Sequence, residues 1–137
     1  MRSVLVDTGP IVAYLDRSES THARAKAALF ELEGNLVTTS AVITEAMHFL
    51  APIPSGPAAL SAFVEQGPVQ IFDFCGPTDL KRAVARMGRY ADAPMDFADA
   101  TLVLLAEAVG SGDILTLDRR GFRFYRWGRN RAFNLLG

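Results

Sequence analysis

Four strand-like runs, at residues 4–6, 36–38, 69–72 and 113–117, are separated by segments of helical periodicity. Val4-Leu5-Val6 is continuously apolar, the pattern of a strand buried on both faces of a parallel sheet. Strands alternating with helix pairs leave one main architecture, a parallel sheet covered by helices on both faces. In such sheets ligands bind beyond the carboxyl ends of the strands. Asp7 closes the first run and Asp118 the fourth, so both stand at that end.

The helices are marked by their start and stop residues. Thr8-Gly9-Pro10 turns the chain into a first helix through Leu15, with Pro10 in its first turn. Ser20 or Thr21 caps a second, carrying Ala25, Ala28, Leu29 and Leu32 at helical spacing and stopped by Gly34-Asn35. Ser40 caps a third that runs to about Leu50, and Pro52, Pro54 and Pro57 break the chain before a fourth over residues 58–64. Pro77-Thr78-Asp79 opens a fifth to about Arg89, and Asp96 starts a sixth that Gly110 ends. Alternating aromatic and arginine residues from Phe122 to Trp127 predict a short edge strand. There is no internal repeat, and 137 residues suit one domain, residues 1–137, with a real core.

Half of the residues are hydrophobic and 21% are charged, a globular composition, not a disordered one. The single cysteine, Cys75, excludes an internal disulfide and reads as a small buried hydrophobe near a strand end, suited to a reducing compartment. The N-terminus lacks the apolar core of a signal peptide, and the longest apolar-rich stretch, residues 100–106, is too short to span a bilayer. A cytoplasmic protein without membrane association is expected. Residues 1–118 carry 15 acids against 8 basic residues, a net −7, whereas residues 119–137 carry six arginines and no acid. Such a basic tail is either a nucleic-acid footprint or a solvated cationic face.

The acids repay separate weighing. Asp7 and Asp118 could each cap the turn that follows, Asp7 through the Gly9 or Ile11 amide and Asp118 near Arg120 and Gly121. Glu45 shares a helix face with Val42, Ala46 and Phe49, and no lysine or arginine lies three or four residues away to pair with it. Asp96 and Asp99 open a helix that is apolar nearly all round; Asp96 suits the N-cap, while Asp99 falls on the face of Leu102, Val103 and Ala106 and points inward. Buried carboxylates need compensation, and a divalent cation is the natural one. Other chemistries find little support. Glu45-x-x-His48 lacks the second copy that a di-iron bundle needs, and His48 reads as a partly buried helix histidine. Neither histidine pairs with a serine or with Cys75, and no phosphate-binding glycine motif is present.

The runs Val-Asp-Thr-Gly-Pro at 6–10, Thr-Thr-Ser-Ala-Val-Ile-Thr-Glu at 38–45, Pro-Met-Asp-Phe-Ala-Asp-Ala at 94–100 and Leu-Thr-Leu-Asp-Arg-Arg-Gly-Phe at 115–122, in this order, resemble PIN-domain ribonucleases. The likeness is strongest to the VapC-type toxins of bacterial toxin–antitoxin pairs. It implies a three-layer α/β/α sandwich with a mostly parallel sheet of four to five strands. It also implies a Mg²⁺- or Mn²⁺-dependent endoribonuclease, a homodimer, and inhibition by a cognate antitoxin. The resemblance makes Asp7, Glu45, Asp99 and Asp118 the acidic quartet, with Asp96 as an extra acid and Thr8 and Thr116 lining the site. Asp7 and Asp99 are then the principal metal ligands, Glu45 a ligand or water-orienting base, and Asp118 a second-site or water-mediated ligand. Arg119, Arg120, Arg123, Arg126, Arg129 and Arg131 would grip RNA phosphates, and Tyr125 and Trp127 would stack on unpaired bases, pack in the core or form a dimer contact. Two alternatives of function stand beside this one, a non-toxin PIN nuclease of RNA processing and a non-catalytic RNA-binding module. A phosphoacceptor receiver domain is disfavoured, because the only lysines, Lys26 and Lys81, lie in helical segments.

Overall fold

The computed structural model describes residues 2–137. Its centre is a five-stranded parallel sheet built from β1 (Ser3–Val6), β2 (Asn35–Thr39), β3 (Val69–Phe72), β4 (Asp113–Leu115) and β7 (Asn134–Leu136), in the order β3-β2-β1-β4-β7. Seven helices flank it: α1 (Thr8–Leu15), α2 (His22–Glu31), α3 (Ser40–Leu50), α4 (Gly56–Gln66), α5 (Pro77–Met87), α6 (Phe97–Val109) and α7 (Arg119–Phe124). This is the three-layer α/β arrangement expected from the alternation of runs. Strand order reverses at β1, which pairs with β2 on one side and β4 on the other, making the β1/β4 edge the switch point where ligands bind in open parallel sheets.

Burial explains the sequence pattern. Val4, Leu5, Val6, Ile114 and Leu115 are all sealed from solvent, so both central strands are apolar on both faces. Helix α6 is buried from Ala100 to Ala106 and packs against β1, β2, α3 and α5, which is why it carries almost no polar residue. Gly110 ends it in the left-handed conformation (φ 69°) that a side chain would strain.

Several local expectations change. Thr39, not Ser40, caps α3, its hydroxyl accepting from the Val42 amide at 3.3 Å. The fourth helix is longer than the apolar run suggested, because Gly56-Pro57 already belongs to its first turn. The strand foreseen between Phe122 and Trp127 is mostly helix: α7 holds residues up to Phe124, and only β5 (Arg126–Trp127) is extended, pairing antiparallel with β6 (Arg131–Ala132). The reason lies in Phe122 within α7 and Tyr125 just past its end, which both turn inward so that their rings meet in edge contact at 5.1 Å. Cys75 is exposed, not buried, because it follows β3 at the sheet edge and precedes the turn into α5. A hydrogen bond to the Asp73 carboxylate raises the pKa of its thiol. His48 is also exposed, not partly buried, and so is Phe49 on the same helix.

Candidate active site

Asp7 immediately follows β1 and caps α1, but through a different amide from those foreseen: its Oδ1 accepts from Thr8 N–H at 2.8 Å. Its Oδ2 accepts from the Thr116 hydroxyl, also at 2.8 Å. Thr116 is fully buried behind Asp7, and its oxygen in turn accepts from Asp118 N–H at 3.2 Å. One threonine therefore ties the ends of β1 and β4 together. Asp118 caps α7 by accepting from Arg120 N–H at 3.3 Å, as foreseen, and remains exposed.

Asp96 and Asp99 form a reciprocal capping box at the start of α6. Asp96 Oδ1 accepts from Asp99 N–H at 2.8 Å, and Asp99 Oδ2 accepts from Asp96 N–H at 3.3 Å. Asp99 is half-buried, as its helix face required, whereas Asp96 is exposed. The Tyr125 hydroxyl donates to the Pro94 carbonyl at 2.8 Å and lies 3.4 Å from Asp99 Oδ2. Sequence reasoning missed this contact, because it links residues on two different helix ends.

These residues open onto two clefts that share Asp7, Asp99 and Asp118. One, of about 470 Å³, adds Thr8, Glu45, Asp96, Glu19, Thr21 and Phe49. The other, of about 440 Å³, adds Asp92, Pro94, Arg120, Phe124 and Tyr125. All five candidate acids thus meet at the carboxyl ends of the strands. A roomier cleft of about 920 Å³ near Tyr14, His22 and Phe30 gathers no such group, since its Asp16 is satisfied by Ser18.

Electrostatics separates these acids from ordinary surface charge. Burial pushes the Asp7 carboxyl up to about 6 against the downward pull of its Thr116 and Thr8 hydrogen bonds, and the Glu45 and Asp96 charges push the same way as burial. Asp99 is also raised well above the carboxylate range, first by burial and then by the Asp96 and Asp7 charges. Among the described residues no lysine or arginine forms an ion pair with any of the five. The Thr8 hydroxyl, buried beside them, has no hydrogen-bond partner among the described residues. A like-charged, under-compensated oxygen cluster of this kind fits a hard divalent cation. Among the described residues no three His, Cys, Asp or Glu side chains are already drawn into one ligand set.

The tail arginines divide. Arg120 lines the second cleft. Arg126 donates from Nη1 to the carbonyls of Arg123, Phe124 and Tyr125 at 3.0–3.1 Å, satisfying the C-terminal end of α7. Arg119 donates to the Leu135 carbonyl at 3.3 Å, and the Arg131 guanidinium lies 4.5 Å from the Trp127 ring centroid. Arg123 and Arg129 are exposed. Tyr125 and Trp127 are buried within the chain, so core packing is the reading found, not a free face for stacking or for a dimer contact.

A PIN domain family model matches residues 4–128. The chain belongs to the PIN-domain family. It is 30% identical over 124 residues to Ribonuclease VapC26 of Mycobacterium tuberculosis, a match spanning 90% of this chain and 92% of that protein. Its fold also matches the crystal structure of Mycobacterium tuberculosis VapC20, described as a sarcin-ricin loop cleaving toxin. That likeness has a TM-score of 0.73 at 18% identity and covers 81% of this chain and 86% of the other. The PIN match includes all four acid-bearing segments and ends within the tail, just past Trp127. No helix among the described residues is long and apolar enough to cross a membrane.

Proposed function

We propose that this PIN domain, residues 1–137, is a divalent-metal-dependent endoribonuclease acting as the toxin of a toxin–antitoxin pair. The observation that carries the nuclease reading is the convergence of Asp7, Glu45, Asp96, Asp99 and Asp118 on adjoining clefts, with Asp7 buried, Asp99 half-buried and, among the described residues, no lysine or arginine ion-paired to any of the five. Its relatedness to a protein named a ribonuclease supports RNA as substrate. Mg²⁺ or Mn²⁺ bound there would acidify a water and neutralise phosphate charge. Asp7 and Asp99 would be the principal holders, Glu45 a further ligand or the base that orients the water, and Asp118 and Asp96 outer supports. Thr116 and the Thr8 amide fix the Asp7 carboxylate, and the capping box with the Tyr125 hydroxyl fixes Asp99. The ligands are thereby oriented before an ion arrives.

The toxin reading rests on likeness to VapC26 and to the VapC20 fold, and carries with it a homodimer, a cytoplasmic location and inhibition by a cognate antitoxin. Purified protein is expected to cleave RNA with Mg²⁺ or Mn²⁺ and to stop on chelation. Asp99→Asn should lower cleavage at least a hundredfold with an unchanged circular dichroism spectrum. Equal cleavage by wild type and Asp99→Asn, with contaminating ribonuclease excluded, overturns the nuclease reading. Induced expression separates the two PIN alternatives: a toxin arrests growth and is silenced by co-expression of a small upstream partner, whereas a processing nuclease does neither.

A further inference from the structure

We propose that the Arg120–Phe124 side of the acidic site is a subsite for one unpaired nucleotide next to the cleaved phosphate, with Phe124 stacking on its base and Arg120 holding its phosphate. The inference rests on the ribonuclease reading above and names which surface of that site takes the strand.

Five aromatic rings lie between Phe122 and Phe133, and four of them are at most 7% exposed. Phe124 alone stands in solvent, at 56%. It lies at the last position of α7, off the face by which Phe122 and Tyr125 pack inward, and it lines the same cleft as Asp7, Asp99 and Asp118. The Arg123 guanidinium lies 5.8 Å from its ring centroid, adding a cation beside the aromatic surface. An exposed ring within reach of a phosphodiester site is a stacking platform for a base, and only an unpaired base has a free face to offer it.

The other cleft also holds an exposed ring, Phe49 at 52%, and charge decides between the two sides. Arg120 is the one basic residue lining either acidic cleft. Its backbone amide bonds Asp118, while its guanidinium makes no hydrogen bond or ion pair among the described residues. The opposite cleft is lined by Glu19, Glu45 and Asp96 with no basic residue, so apart from a bound cation a phosphate there would meet only like charge. The remaining tail arginines with defined partners are directed elsewhere, Arg126 to helix-end carbonyls, Arg119 to Leu135 and Arg131 to Trp127. Stacking tolerates any base, so the subsite demands single-strandedness and not a particular nucleotide.

The test uses an RNA oligonucleotide spanning a cut site mapped with the wild-type protein, and a series in which each flanking nucleotide in turn is made abasic. Phe124→Ala is expected to lower kcat/KM on the order of tenfold on the intact RNA. Phe124→Trp should restore it, and neither change should lower Tm appreciably, because the ring is exposed. One abasic position should slow the wild type to the rate of Phe124→Ala and leave Phe124→Ala itself unaffected. Arg120→Ala should weaken binding and flatten its salt dependence, by a slope of about 0.7 for one phosphate contact on a single strand. Equal cleavage by Phe124→Ala, or a loss that simply adds to every abasic penalty, overturns the subsite. A Phe124→Ala protein that cleaves normally but changes oligomeric state or escapes its antitoxin makes the ring a protein contact, which also overturns it. A wild type that cleaves no RNA with Mn²⁺ fells the parent reading, and the subsite with it.

Discussion

Asp7 carries an unusual charge balance for a residue with two good hydrogen bonds. Burial outweighs the Thr116 and Thr8 contacts and lifts its carboxyl to about 6, above the unfolded value of 3.8. A carboxylate raised by folding stabilises the fold while it is protonated there, so that contribution is complete below about pH 3.8 and is lost as pH rises through about 6. The shift corresponds to about 3 kcal/mol at most. In chelator, the stability of Asp7→Asn relative to wild type should therefore climb as pH rises across this window and level off above it. Matched chemical denaturation series between pH 4 and 8 would show it, and a pH-independent difference would mean that Asp7 is not strained by its charge. Cation binding should reverse the balance, since the ion takes the ionised form and releases the proton.

At the scale of elements, α7 shows how a short helix both lines a site and props it from behind. Its Gly121 lies so close to Tyr125 that an added Cβ would fall 2.8 Å from that ring's Cε2 and hydroxyl oxygen. Helix propensity alone favours Gly121→Ala by up to about 1 kcal/mol. The clash with a ring that is 1% exposed should instead cost about 1–3 kcal/mol and push the hydroxyl off Asp99. Lower Tm together with weaker Mn²⁺ activation is expected, and a raised Tm would contradict the close packing. This element also marks the limit of what sequence makes legible. Strand-end acids, the Asp96 cap and the inward face of Asp99 follow from local periodicity, which residues 4–7 and 96–106 state clearly. The tail does not state its structure locally. An alternating Phe-Arg pattern fits a strand by period, and only the contacts of Phe122 and Tyr125 with Phe133 and Tyr90 make it helical. The last strand of the sheet, Asn134–Leu136, is likewise fixed by its partner β4, not by its own three residues. The split of the site into an acidic and an arginine-bearing cleft was equally invisible, because it depends on which tail side chains face inward.

For the molecule as a whole, the acids join segments far apart in the chain: Asp7 after β1, Glu45 in α3, Asp96 and Asp99 at the head of α6, and Asp118 after β4. The apolar core beneath them, from Leu5 and Val6 through Ile114 and Leu115 to α6, holds those segments without help from an ion. Folding therefore should not depend on metal, yet metal should stabilise the fold, since only the folded chain brings these carboxylates together. Binding to the native state alone adds about 2.7 kcal/mol at a hundredfold excess over Kd, a rise in Tm on the order of 10 °C for a chain this size. Chelated protein should keep its circular dichroism spectrum and melt cooperatively, and Mn²⁺ should raise Tm progressively. Asp99→Asn should flatten that titration while its chelated melting point stays equal to or above that of the wild type, because the substitution also removes a half-buried, crowded carboxylate. A chelated protein that unfolds would show that the acids, and not the apolar strands, hold the sheet ends together. A Tm indifferent to Mn²⁺ would place the ion elsewhere than at these strand ends.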